Sequence, residues 1–215
     1  MKLRALVLLF ISLIFYACSG NNPLLKPDTK ELNKHAPNNF HVVFHTTKGD
    51  FTVDVSRKYS PLGVDRFYYL VKNHYYDGNR FFRVVPNFVV QWGMIGIPEV
   101  DKFWEKMGIK DEPVRLSNTK GTIAFARGGP NTRSNQLFIN LKYNARLDTS
   151  GYMNVKGFPA FGKVIKGMDV VESINPEYVQ KPNQDSIMVK GNSYLNKNFP
   201  NLDYIISTKI VTGSK

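Results

Sequence analysis

With 215 residues and a hydrophobic fraction of 42%, the chain can bury a substantial core, which excludes a disordered chain. Its net charge of +12 comes from basic residues that never run longer than two, which argues against a nucleic-acid arm and favours attraction to acidic polymers or lipid head groups. The single cysteine excludes a disulfide within the chain.

The first element reads as an export signal. Met1 to Arg4 form a basic head and Ala5 to Ala17 an apolar run of signal-peptide length, too short for a comfortable membrane span. Cys18 follows at once, in the position of a bacterial lipobox cysteine, although Phe15 and Tyr16 are bulkier than usual there. The expectation is a lipoprotein signal over 1–17, with Cys18 lipidated as the mature N-terminus; an uncleaved, membrane-anchored signal is the alternative. Residues 18–38, rich in Asn, Pro, Lys and Asp, read as a flexible tether, and the domain then occupies 39–215.

From Asn39 to Val55 apolar and polar residues alternate around the turn material Lys48-Gly49-Asp50, which predicts two strands. Pro61 opens a helix with Val64, Phe67, Leu70 and Val71 at helical spacing, ending near Gly78. Strands are expected at 80–85, 88–92, 121–126, 136–140 and 204–211, and a second helix at 167–175, stopped by Pro176. Residues 93–113 read as a long excursion, and the polar, Asn-rich segment 177–203 as a loop-like insertion. Many short strands with two amphipathic helices fit a closed antiparallel barrel capped by helices, in one domain without repeats.

Two stretches carry the chemistry: FFRVVPNFVVQWGMI over 81–95 and GTIAFARGGPNTRSNQLFI over 121–139. Arg83 sits in an apolar run, with Phe88 and Gln91 following on the same segment. For Arg83 a strand arginine with its head in solvent is the lesser alternative, whereas Phe88 and Phe138, each taken in isolation, read as ordinary core. His41 and His45 share a strand face, yet no third ligand follows at metal-site spacing, so no metal is expected. Gly128-Gly129-Pro130-Asn131 lacks a Walker lysine and reads as a tight turn.

Together these stretches resemble the cyclophilins, peptidyl-prolyl cis/trans isomerases whose common signature is close to FHRVIPGFMxQGGD followed by MANxGPNTxxSQFFI. KGDFTVDV, AFGKVIKGMDVVESI and IISTKIV fall in the same order, so the resemblance runs from about Phe40 to Val211. Lys181 to Gln184 and Gly191 to Leu195 are similar to segments of a bacterial branch. The resemblance implies an eight-stranded barrel, with Arg83 as the catalytic arginine and Gln91 holding it. It implies a proline pocket of Phe88, Val89, Phe138 and Leu147, and main-chain pairing of the substrate with Ala126 and Arg127. Phe125, Arg146 and Phe158 match further binding positions, where the family more often has Met, Trp and His. Arg146 in place of an indole donor implies weaker cyclosporin binding. Phe82 and Trp92 also depart, replacing a His and a Gly.

Rotating an Xaa-Pro amide breaks resonance across a barrier of roughly 18–20 kcal/mol, without making or cutting a bond. The work needs a dry pocket for the proline ring and a permanent donor near the twisted nitrogen, and no cofactor. A monomeric envelope isomerase acting on proline-containing exported polypeptides is the resulting expectation, with a non-catalytic proline-peptide docking module as the alternative. Inward-facing Phe and Leu argue against a ligand-filled barrel.

Overall fold

The computed structural model describes residues 22–152 and 155–211. The signal segment and Cys18 lie outside the described residues. The elements in chain order are α1 (Thr29–Leu32), β1 (Asn39–Thr46), β2 (Gly49–Ser56), α2 (Pro61–Lys72), β3 (Arg83–Val85), β4 (Val89–Trp92), α3 (Pro98–Glu105), β5 (Thr122–Phe125), β6 (Leu137–Asn140), α4 (Arg146–Thr149), β7 (Gly151–Tyr152), β8 (Val155–Lys156), β9 (Ala160–Lys166), α5 (Met168–Glu172), α6 (Gln184–Asn198) and β10 (Ile205–Val211).

Eight antiparallel strands form one curled sheet in the order β10-β1-β2-β9-β5-β6-β4-β3, and β7 and β8 make a separate hairpin. The closed barrel expected from the sequence is a curled half-barrel here. Among the described residues β3 and β10 share no ladder, and the sheet ends meet only where 78–81 bonds to 203–205 around the Arg80–Tyr204 bridge. Alternation along each strand sends one set of side chains inward. Phe44 and Phe51, opposite each other on β1 and β2, stack at 4.7 Å, and Phe67, Trp92 and Phe161 close around them. Each such buried ring stabilises the fold by about 1.5–3 kcal/mol.

Several expectations change. The helix begun by Pro61 ends at Lys72, and His74, with φ of 59°, turns the chain so that Tyr75 and Tyr76 enter the core. The segment 93–113 contains α3, started by Pro98 with Glu99 and Asp101 in its first turn, where acidic groups complement the helix dipole. The supposed loop 177–203 contains the 15-residue α6, capped by the Asn183 side chain and kinked at Gly191. Gly191 and Gly96 both have positive φ, and a Cβ on Gly191 would stand 2.2 Å from the Gly96 carbonyl oxygen. Asn192 donates from its backbone to Gly96 (2.9 Å) and from its side chain to Ile95 (3.1 Å), clamping α6 to the excursion. The cap count therefore exceeds the two helices expected.

The expected tether is also corrected for residues 23–38. Leu24 and Ala36 are buried in the main core. Tyr69 donates its hydroxyl to the Pro23 carbonyl and Trp104 its indole N–H to that of Leu24, both at 2.9 Å. Asp65 accepts from the Ala36 backbone and, bidentately, from Arg57 at 2.7 and 2.8 Å. Buried rings with polar tips need partners, and this strap supplies them.

Asp101 holds the excursion down. Its carboxylate accepts from the backbone of Ile95 and Gly96, each at 2.8 Å, and from Tyr75 at 2.9 Å. Burial raises its pKa from 3.8 to about 6, against the pull of those three donors. A folded pKa above the unfolded one means that this contribution to stability is complete below about pH 4 and disappears as pH rises through about 6. We expect Asp101→Asn to remove a slope of roughly 2–3 kcal/mol between pH 4 and 7. Denaturant unfolding of parent and variant across that range checks it; a parent-minus-variant difference independent of pH would refute it.

Candidate active site

The site grows from one cross-strand row. Arg83 on β3 stands opposite Gln91 on β4, Gln91 opposite Phe138 on β6, and Phe138 opposite Ala124 on β5. Directly opposed residues share a sheet face, so these side chains project together on the outer side of the sheet. The neighbouring rows, Val84-Val90-Ile139-Ile123 and Trp92-Leu137-Phe125, face the interior.

Arg83, Phe88, Val89, Gln91, Ala126, Arg127, Phe138, Leu147 and Phe158 line a single cavity of about 260 Å³. Two further expected residues are not on its wall. Phe125 is fully buried against Phe161 in the main core, because the strand alternation that puts Ala124 and Ala126 outward turns it inward. Arg146 lies at the rim, its guanidinium 4.7 Å from the centre of the Phe88 ring. Phe82, which stands where a histidine was expected, is buried with Met94, Ile187 and Leu195 under α6.

Arg83 donates from Nη1 to Gln91 Oε1 at 3.1 Å and lies over the Phe88 ring at 5.6 Å. Burial lowers the pKa of its guanidinium from the ordinary arginine range. Gln91 donates in turn from Nε2 to Gln136 Oε1 at 2.8 Å. Gln136 was missed from sequence, although its place two residues before Phe138 on an outward-facing row could have marked it.

The apolar end is held by asparagines. Asn144 donates to the Phe88 carbonyl at 3.0 Å and to Asn140 at 2.7 Å, while Asn118 donates to the Phe158 carbonyl at 3.0 Å. Asp148 accepts from the backbone and side chain of Asn118, both at 2.8 Å, and the backbone of Phe158 donates to Leu147. Phe138 and Phe158 meet edge to face at 5.8 Å. Arg127 lies over Phe158 at 5.0 Å and donates to the Gly157 carbonyl at 2.8 Å. Thr132 closes the Gly128–Gly129 turn by accepting from both glycine N–H groups. His41 and His45 pair with Asp54 and Asp50 across the β1–β2 hairpin, at 3.2 and 2.9 Å.

The arrangement combines an apolar aromatic floor, which suits a proline ring, with a permanently charged donor held at its edge. The described residues of its wall are apolar or aromatic side chains with Arg83, Gln91 and Arg127, a lining that fits binding and twisting a substrate.

Comparison with known proteins agrees. Residues 41–192 match the family described as cyclophilin type peptidyl-prolyl cis-trans isomerase/CLD. The chain is 37% identical over 145 residues to a peptidyl-prolyl cis-trans isomerase of Acinetobacter baylyi, covering 66% of this chain and 76% of that one. It is 31% identical over 174 residues to peptidyl-prolyl cis-trans isomerase B of Escherichia coli, covering 80% and 99%. A crystal structure of a cyclophilin-type isomerase from Cryptosporidium parvum superposes with a TM-score of 0.62 at 20% identity, over 82% of this chain and 99% of that one, and shares its fold.

Proposed function

We propose, from the premise that this chain belongs to the cyclophilin-type peptidyl-prolyl cis-trans isomerase family, that Arg83 is its catalytic residue and that its substrates are exported polypeptides. The chain is a peptidyl-prolyl cis/trans isomerase. One observation supports the role of Arg83 above others: a guanidinium held by neutral amide oxygens at the lip of an apolar pocket.

The proline ring of the substrate enters the pocket between Phe88, Phe138, Leu147 and Phe158. As the amide twists out of plane, resonance is lost and the nitrogen regains its lone pair. The guanidinium donates to that nitrogen, an interaction absent in the planar ground state and therefore one that lowers the barrier. Exclusion of water by the rings strengthens it. Gln91 keeps the donor aimed, and no group changes protonation state. Arg146 at the rim lacks the indole donor expected to hold cyclosporin, so weak inhibition by that compound is part of the reading.

The apolar run before Cys18 supports placement in a bacterial envelope, with the lipid on Cys18 as anchor and the isomerase domain acting as a monomer outside the cytoplasm. NMR exchange on Xaa-Pro peptides tests the activity, and mass spectrometry of the membrane fraction tests the anchor. Peptide binding without faster exchange would replace the enzyme by a docking module. An unmodified Cys18 would remove the lipid anchor.

A further inference from the structure

We propose that Gln180 is a positioning residue for Arg83, presented by a strained turn that the 177–203 segment lays along the edge strand β3. The proposal rests on the reading of Arg83 as the catalytic group.

β3 is a three-residue edge strand, paired with β4 on one side only. On its other side the Val84 N–H donates to the Val179 carbonyl at 2.8 Å, so the inserted segment takes up an edge N–H of the strand that carries Arg83. Val179 has φ of 52°, a left-handed conformation that a β-branched residue adopts only under strain. Such strain persists where the surroundings over-determine it. Here the Val179 N–H donates to Pro176 at 3.0 Å and the Lys181 N–H to Tyr178 at 2.8 Å. Downstream, Asn183 accepts from Ser186 at 2.8 Å, and Tyr178 packs edge to face on Phe199 at 5.1 Å. A polar segment is thereby fixed at both ends of residues 179–181.

The consequence falls on the next side chain. Gln180 Oε1 accepts from Arg83 Nε at 3.4 Å, longer than the usual range of about 2.7–3.2 Å and so a weak contact that orients more than it binds. With Gln91 on Nη1, the planar guanidinium is held at two of its three nitrogens, and Nη2 has no protein acceptor among the described residues. Both holders are amides. A carboxylate in either place would aim the fork equally well but would compete with the substrate for its charge. Neutral acceptors fix orientation and leave the charge for the twisted amide.

This gives an experiment that a purely structural role would fail. Gln180 is exposed, so its substitutions leave folding intact. We compare Gln180→Glu, Gln180→Ala and Arg83→Ala in the full domain, using NMR exchange on a proline peptide to obtain kcat and KM separately. Gln180→Ala should lower kcat about fivefold, with KM within about twofold. Gln180→Glu should lower kcat by about tenfold or more at pH 7, and recover as pH falls through the carboxylate range near about 4 and the competing charge is lost. Both Gln180 variants within twofold of the parent, beside a collapsed Arg83→Ala, would overturn the positioning role alone. An active Arg83→Ala would overturn the reading beneath it.

Discussion

Replacing Arg83 by alanine is expected to slow catalysed isomerisation about a thousandfold, which corresponds to about 4 kcal/mol of transition-state stabilisation. The size follows from the setting. The guanidinium is partly buried over Phe88, and its described hydrogen-bond partners are amide oxygens, so its charge is not spent on a carboxylate. The pocket that grips the proline is built separately, by Phe138, Leu147 and Phe158 with their asparagine supports, and should survive the substitution. Exchange NMR should therefore show peptide affinity kept within a few-fold while the exchange contribution vanishes. Lysine at this position should restore little, since a point charge cannot reproduce the fork held by two glutamines. If Arg83→Ala kept a tenth or more of the parent rate, the assigned mechanism would be wrong.

The second large effect concerns stability. Arg133 is fully buried and donates to Glu112 at 3.1 Å, to the Ser60 hydroxyl at 3.1 Å and to the Lys110 carbonyl. Glu112 in turn accepts from the backbone of Leu62 (2.9 Å) and Gly63 (3.2 Å) and from Ser60. α2 has no side-chain bond from its own N-cap residue, so a glutamate from 50 residues away satisfies its first N–H groups and faces the positive end of its dipole. Removing Arg133 leaves that carboxylate shielded from water without its counter-charge. Arg133→Ala should cost about 3–5 kcal/mol. At a few degrees per kcal/mol for a domain of this size, the melting temperature should drop by roughly 10 °C. The double variant with Glu112→Gln should lose less than the sum of the two singles. Calorimetry on all four proteins gives the comparison, and additive losses would dismiss the coupling.

What could be read from the chain before folding it depended on periodicity. Arg83, Gln91 and Phe138 lie in strands whose alternation is regular, and the structure gathers them in one row. Phe125 was misplaced although the same alternation spoke against it: with Ala124 and Ala126 facing out, the residue between them has to face in. α6 escaped notice because its residues are polar and Gly191 interrupts the pattern at a positive φ that only its contact with Gly96 explains. Gln180 and Gln136 act through distances of 97 and 45 residues along the chain, to Arg83 and Gln91 respectively, which no local spacing encodes. The strap was hidden for a related reason. Two of its anchors are the backbone carbonyls of Pro23 and Leu24, which every sequence supplies, and its two core residues, Leu24 and Ala36, are too far apart to show a period.

That strap changes the reach of the molecule. With residues from Pro23 laid on the domain, about five peptide units separate it from Cys18, at most roughly 17 Å when fully extended. A lipid at Cys18 would then work as a short leash. The isomerase would survey chains emerging at the bilayer surface, where its surplus of positive charge meets anionic head groups, and would miss those already drifting through the aqueous space beyond.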